Sequence, residues 1–401
     1  MALSELWALE MLVAAFAGGA FGAAIGALPS FALAGLFVVV GELYALAART
    51  VGVETLPVDV TGSVAFGVVL GPHVAFGGGA AALAYATKRG YLDTDFEYHQ
   101  AKEVTRGLGS DPDVLAVGGL FGVVGYWIAT ASASLAVPVD PVALGVVGSA
   151  LAHRVAFGYS LVGAGPRRWF DMRPYERAEE GQSETLADGG ERSEAPRSTS
   201  DTQSDGGPAS GASGASSDTQ SDGGPASGAS GASSDTQSDG GVRRVEPWLP
   251  YQYRWPNVAM LGLVVGVLGA YVAYLTASPF LAFGLSVVAL VFLNADVAEI
   301  PVTHHIALPA STAVLALVEP TAGPLTPGLV TGAVPLGQAL LVGALFGLVG
   351  ALLGEVTQRI FYAHAETHLD PPAASIVLTS LLIGLLAIAG VLPSAVWIPT
   401  P

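Results

Sequence analysis

Three histidines and two groups of helix-breaking residues are the parts of this sequence best suited to chemistry. His73 stands in LGPHVAFGGGAAALAYA, directly after Gly71-Pro72 and four residues before the run Gly77, Gly78 and Gly79. His304 and His305 open HHIALPASTAVLA, in which Pro309 lies four residues after His305. Proline removes a backbone donor and glycine permits departure from helical angles, so each stretch frees main-chain polar groups within an apolar run. Such groups cannot face lipid; they must be buried in protein or line a wet cavity. An imidazole beside a cavity can exchange a proton near neutral pH or hydrogen-bond a polar solute. The structural alternatives are a ring satisfied in the core and a proline kink with glycines for close packing. Metal ligation is disfavoured, because adjacent histidines on a helix point apart and no cysteine or close carboxylate completes a set. No metal and no cofactor is expected.

Two further ionisable groups lie deep in apolar text: Glu42 in LFVVVGELYALA and Arg154 in GSALAHRVAFGYS. Charges at such depth are costly and face the bundle interior or water, which makes the two candidates for a buried or cavity-lining pair. Snorkelling of Arg154 towards an interface is the alternative. Glu355, His364, Glu366 and His368 read as a solvated loop face, with a surface cation site as the second reading.

The elements that must hold these residues are membrane helices. About half of the 401 residues are apolar and only 12% are charged. Runs such as Leu9 to Ala27, Phe31 to Ala48, Val114 to Val137, Val142 to Gly163, Val258 to Leu275, Ala339 to Leu353 and Ala373 to Leu392 approach or exceed the roughly 20 residues that cross a bilayer core. The start, MALSELWALE, lacks the basic residues of a cleavable signal, so the first run is expected to remain as an anchor. With no cysteine there are no disulfides or thiolate sites. A net charge of −17 with only two lysines gives an acidic surface like that of salt-adapted proteins and disfavours nucleic acid as a partner.

Between residues 174 and 246 the character changes. SDTQSDGGPASGASGAS occurs twice in tandem, followed by a truncated copy, and a tract of Ser, Gly and Asp has nothing to bury. It is expected to be a disordered acidic linker between an N-terminal membrane part, 1–173, and a C-terminal one, 247–401. Its Arg-, Trp- and Tyr-rich flanks place it in the cytoplasm. The two parts resemble each other in order: PSFALAGLFVVV with SPFLAFGLSVVA, HVAFGGGAAALA with HIALPASTAVLA, VLAVGGLFGVVG with ALLVGALFGLVG, and then Asp140-Pro141 with Asp370-Pro371. The expected fold is therefore an all-α integral membrane protein of two homologous halves. Each has about five hydrophobic elements, four or five of them spanning, with a third element that is broken or re-entrant. Five crossings would invert the halves and four would leave them parallel, and the inverted plan is the commoner with broken helices. Glycines four apart, as in GGAFGAAIGAL and LGLVVGVLG, are a packing signal.

The stretch GPHVAFGGGAAALAYATKRGY followed by DPDVLAVGGLFGVVGY resembles haloarchaeal multi-pass membrane proteins of an uncharacterised, permease-like family without assigned function. The resemblance implies a cell-membrane location and carries no residue roles. No phosphate loop, HExxH or Gly-x-Ser-x-Gly is present, so an enzyme is not expected. The leading expectation is a secondary transporter or channel-like permease for a small solute or ion in the lipid bilayer, with His73, His305, His304, Glu42 and Arg154 along its path; a homo-oligomer is compatible with it. A non-transporting scaffold that recruits a partner, and then an integral-membrane enzyme, are the alternatives.

Overall fold

The computed structural model describes residues 3–52, 58–93, 99–163, 168–179, 245–321 and 323–401. One compact unit comprises Met1–Tyr175 and Arg244–Pro401; the second, Glu176–Arg243, has only residues 176–179 described. The repetitive tract of the linker lies outside the described residues.

Among the described residues all regular structure is helical. The main helices are α1 (Leu9–Ile25), α2 (Ala27–Thr50), α3 (Ala75–Arg89), α4 (Pro112–Ser134), α5 (Pro141–Phe157), α6 (Trp255–Thr276), α7 (Leu281–Val288), α8 (Leu290–Asn294), α9 (His304–Leu315), α10 (Pro327–Ala333), α11 (Leu336–Phe361) and α12 (Pro371–Ile388). Five of them, α2, α4, α6, α11 and α12, are long and apolar enough to cross a membrane. The sequence reason is direct: long runs of Ala, Leu, Val and Gly support a helix wherever its surface is taken up by lipid or by other helices.

Packing follows the glycines. α1 lies along α4, and α6 along α11, while α3 sits against α1 and α4 as α9 sits against α6 and α11. Gly19 meets Gly118 and Gly122, and Gly266 meets Gly343 and Gly347, so close that a Cβ on Gly19 would stand 2.2 Å from the Gly118 carbonyl oxygen. Backbones approaching this closely gain dispersion contacts that lipid does not offer. Gly26, at φ +103°, makes the one-residue corner between α1 and α2 that a side chain would strain.

Two further contacts join early helices to late ones, and both are antiparallel. In the first, Gly35 of α2 meets Val287 and Val288 around the end of α7, while Gly284 of α7 meets Val38 and Val39 of α2. In the second, the Asp140 N–H before α5 donates to Ser380 Oγ at 2.8 Å, while Ala150 further along α5 packs with Leu369 and Ala374.

The glycine run 77–79 corrects the sequence reading. α3 passes through it as regular helix, and the irregular backbone lies earlier, in residues 66–74. Its glycines serve packing: a Cβ on Gly78 would stand 2.5 Å from the Gly118 carbonyl oxygen, and one on Gly79 2.7 Å from that of Gly22. Pro309 is likewise inside a helix, α9, where it leaves the His305 carbonyl without its usual i+4 donor. At the matching place the Gly77 N–H bypasses His73 and donates to the Pro72 carbonyl at 2.9 Å. Both histidine carbonyls press on glycines of the neighbouring helix, His73 O on Gly125 and His305 O on Gly350.

The linker's ends belong to the compact unit. Met172, Tyr175, Val245, Tyr253 and Ala363 form a small core, and Glu246 is fully buried, accepting from the His99 N–H at 3.0 Å, lying 2.8 Å from His99 Nδ1 and pairing with Lys102 Nζ at 2.9 Å. Burial alone would raise the Glu246 carboxyl, but the His99 hydrogen bond and the Lys102 ammonium together hold it below its ordinary value. Because the folded value is depressed, the cluster's contribution is present above the unfolded value and is lost as pH falls through the folded one.

Two outcomes are expected. In detergent-solubilised protein the advantage in melting temperature of the parent over Glu246→Gln, present at neutral pH, should shrink on acidification to about pH 4 and below. Gly125→Ala, whose Cβ would stand 1.7 Å from the His73 carbonyl oxygen, should lower the yield of folded protein sharply, whereas Gly332→Ala, with no atom within 4 Å, should not; size-exclusion profiles would show the difference.

Candidate functional site

Between the early and the late helices lies a cavity of about 40 Å³, room for a few small atoms. α2 contributes Phe31, α3 Phe76, and α5 Val142, Ala143 and Val146; α7 contributes Phe283, α9 His304 and Leu308, and α12 Ala373 and Ile376. Phe66 and Pro72, from the irregular stretch before α3, complete the wall together with Asp140 and Asp370. The surface is almost entirely carbon.

Its polar groups come from the ends of two helices. Asp140-Pro141 and Asp370-Pro371 are helix openings in which the aspartate is the N-cap and proline takes the first helical position, where no donor is needed. Asp140 Oδ1 accepts from the amides of Val142 at 2.8 Å and Ala143 at 3.2 Å, and Asp370 Oδ2 accepts from Ala373 at 2.8 Å. One oxygen of each carboxylate therefore remains: Asp140 Oδ2 has no hydrogen bond among the described residues, and Asp370 Oδ1 lies 3.5 Å from His368 Nε2. Since Asp140 is level with Ser380, ten residues beyond Asp370, α5 begins about 15 Å along α12, inside the bundle.

The predicted residues are only partly brought together. His304 lines the cavity, its ring 5.1 Å from Phe31 and 5.7 Å from Phe283 by centroid, and its Nδ1 is buried without a partner among the described residues. His305, whose ring centroid is 5.9 Å from that of His304, points elsewhere. It lines a second, smaller cavity of about 20 Å³ with Trp248, Gln252, Tyr253, Glu355 and Gln358. Adjacent histidines on one helix thus face different spaces. His73 is buried with its ring folded over Gly71 and is not among the residues lining either cavity; its neighbour Pro72 reaches the first one instead.

Glu42 and Arg154 do not pair. Glu42 accepts from Thr61 Oγ1 at 2.8 Å and Ser278 Oγ at 2.6 Å, tying α2 to the short helix Val60–Ala65 and to the start of the α7 segment. Arg154, fully buried, donates to Thr367 Oγ1 and to the carbonyls of Leu161, Phe361 and Thr367 at 2.7–2.9 Å. It is a staple holding residues 361–367 to α5, and it does not snorkel. The group read as a solvated loop face is also corrected: Glu355, His364 and His368 are buried and only Glu366 is exposed. Glu355 Oε1 receives Arg359 Nε at 2.5 Å, and the Arg359 guanidinium lies 4.6 Å from the Trp255 ring. Among the described residues no group of three His, Cys, Asp or Glu is placed to hold a metal ion.

A family model described as a family of unknown function, DUF7973, matches residues 1–204 and 215–401. The chain belongs to this family. No curated protein and no solved structure matches it. For this member of DUF7973, the cavity-lining residues that sequence reasoning passed over are the two aspartates, visible only as helix openers, and the phenylalanines, indistinguishable from other core residues. The usable signal was the recurrence of Asp-Pro at the same place in both apolar parts.

Replacing Arg154 with methionine, which leaves buried carbonyls without a donor, should destabilise the fold by at least about 2 kcal/mol. Thermal unfolding in detergent would measure it, with Glu366→Gln as the exposed, near-neutral comparison.

Proposed function

We propose that this chain is a cell-membrane transporter or channel-like permease for a small solute or ion, and that its path runs between two inverted halves. The observation that carries the reading is the cavity at which two helices, α5 and α12, begin inside the bundle with their amide ends and capping aspartates turned to a shared space. Helix starts at membrane depth are tolerated where they line a path or a binding site.

The inverted plan is supported by how equivalent parts meet. Under the sequence alignment of the halves, α2 corresponds to the α7–α8 segment and α5 to α12, and these are the pairs that pack antiparallel across the middle. Gly19 with Gly118 and Gly122 corresponds to Gly266 with Gly343 and Gly347, and the His73–Gly125 contact to His305–Gly350. In each half the third element leaves the end of the second and finishes beside the start of the fourth. The Tyr85 hydroxyl donates to Asp113 at 3.0 Å there, and Val314 and Leu315 pack with Ala339 in the second half. That path makes a crossing and gives five per half. Among the described Lys and Arg of this unit only Arg49 then falls at the other end of the bundle, an asymmetry that supports a cytoplasmic position for the cation-rich end and the linker.

The second cavity, which lies beyond the His304–His305 step and is lined by His305, Glu355, Gln358 and residues of the 245–254 segment, would extend the path from the central cavity towards the linker end of the bundle. Alternating exposure would come from one half rocking on the other across the α2–α7 and α5–α12 contacts. The acidic surface fits a salt-rich habitat.

The natural absence of cysteine makes the test clean. Ala143→Cys and Ala373→Cys, reconstituted in vesicles, should react with a membrane-impermeant methanethiosulfonate from at least one side, faster than Leu345→Cys on the lipid-facing surface. If neither cavity position reacts from either side while a cysteine at Gly109 does, the path reading falls and the scaffold alternative takes its place. His304→Ala with His305→Ala should change the sidedness of labelling at Ala373→Cys while leaving the melting temperature within a few degrees.

A further inference from the structure

We infer that the Asp370–His368 pair beside the central cavity takes up and releases one proton as the path changes its exposure, which makes the proton an ion that this protein moves; the inference rests on the transport reading and names the ion. A proton needs no volume of its own, and cavities of about 40 and 20 Å³ have room for roughly one or two water molecules to carry it. The groups that would exchange it stand in a row. Glu355 and His305 line the smaller cavity, the His305 ring centroid lies 5.9 Å from that of His304, and His304 lines the larger cavity together with Asp370. Asp370 spends Oδ2 on its helix cap, and its Oδ1 lies 3.5 Å from His368 Nε2. Nδ1 of His304, Nδ1 of His305 and both ring nitrogens of His368 are buried without a hydrogen-bond partner among the described residues. A ring kept for packing alone forfeits about 1–3 kcal/mol for each such atom, so their recurrence along this row calls for a mobile partner.

The surroundings keep both protonation states within reach. With the proton the pair is neutral overall, the state that a poorly solvated place prefers, and without it the pair carries one negative charge. That charge has cations to meet it. Arg154 from α5 donates to both Thr367 Oγ1 and the Thr367 carbonyl, next to His368. The Lys102 ammonium, from the loop after α3, lies 4.6 Å from the Tyr362 ring, whose centroid is 5.3 Å from that of His368, and Glu246 balances Lys102 in turn. The other titratable neighbours are His304 from α9 and His153 from α5, while α3 presents the Phe76 ring at 5.6 Å from His368. Within the pair's own segment His364 is buried and Glu366 exposed. The His368 N–H donates to the Ala101 carbonyl at 3.1 Å, which sets the pair under the loop that holds partly exposed His99, 2.8 Å from Glu246.

The test follows the ring-nitrogen resonances of isotope-labelled histidine in the whole chain in detergent, from about pH 5 to about pH 9, with the His368 signal assigned by its loss in His368→Gln. His368, 2% exposed, should titrate reversibly in that range, whereas a histidine buried for packing keeps one protonation state. Asp370→Asn should lower the midpoint by at least about one pH unit, since it removes the opposite charge. Asp140→Asn, about 15 Å further along α12, should leave it in place. Asparagine also caps helices, so both variants should keep the parent melting temperature. In vesicles, the labelling of Ala143→Cys relative to Gly109→Cys should differ by about threefold or more between about pH 6 and about pH 8, and the difference should vanish in Asp370→Asn. A His368 that never titrates while the protein stays folded, a midpoint unmoved in Asp370→Asn, or a labelling ratio indifferent to pH would overturn the inference. Such a failure with Ala143→Cys still labelled would remove the proton and leave the path, whereas a titrating His368 without labelling from either side would leave a proton site and remove transport.

Discussion

Two helices begin in the interior of the bundle, and the amide groups at their starts have to be satisfied there. The rest of the site depends on this constraint. In an apolar medium an unpaired amide costs several kcal/mol, so the start of α5 and the start of α12 each need an acceptor at hand. Aspartate supplies it. The consequence is a pair of carboxylates held between the early and late helices, in a cavity wall they share with Phe31, Phe66, Phe76 and Phe283.

The same accounting explains the surrounding backbone. Where Pro309 cannot donate to His305, and where Gly77 donates one residue further back than usual, the released carbonyls rest against the Cα of Gly350 and Gly125. A glycine at the contact admits the oxygen to a Cα–H approach that any side chain would block. The glycines of α4 and α11 therefore do two things at once: they bring α1 and α6 close, and they receive the freed carbonyls of His73 and His305.

Charged side chains in this chain are mostly fasteners. Arg154 secures residues 361–367, Glu246 clamps the segment before α6 to the loop after α3, and Glu355 with Arg359 fixes the end of α11 beside Trp255. Each buried charge meets several fixed partners, which is what makes it tolerable in a poorly solvated place. The aspartates at the cavity differ in having an oxygen to spare.

Hydropathy made the helices legible, because a run long enough to cross a bilayer can be read without knowing its neighbours. The glycine spacing correctly announced close helix contacts. The tertiary structure alone decided that α2 meets α7 and α5 meets α12 head to tail, since apolar faces are interchangeable in the text and only packing selects a partner. It confined the irregular backbone to residues 66–74, which include the predicted Gly71 and Pro72, and left Gly77–Gly79 helical, because glycine permits a break without requiring one. It separated Glu42 from Arg154, turned His304 and His305 to different cavities, and made Asp140 and Asp370 neighbours of one space. Those outcomes depend on direction and distance between side chains far apart in the chain, which composition and local spacing do not encode.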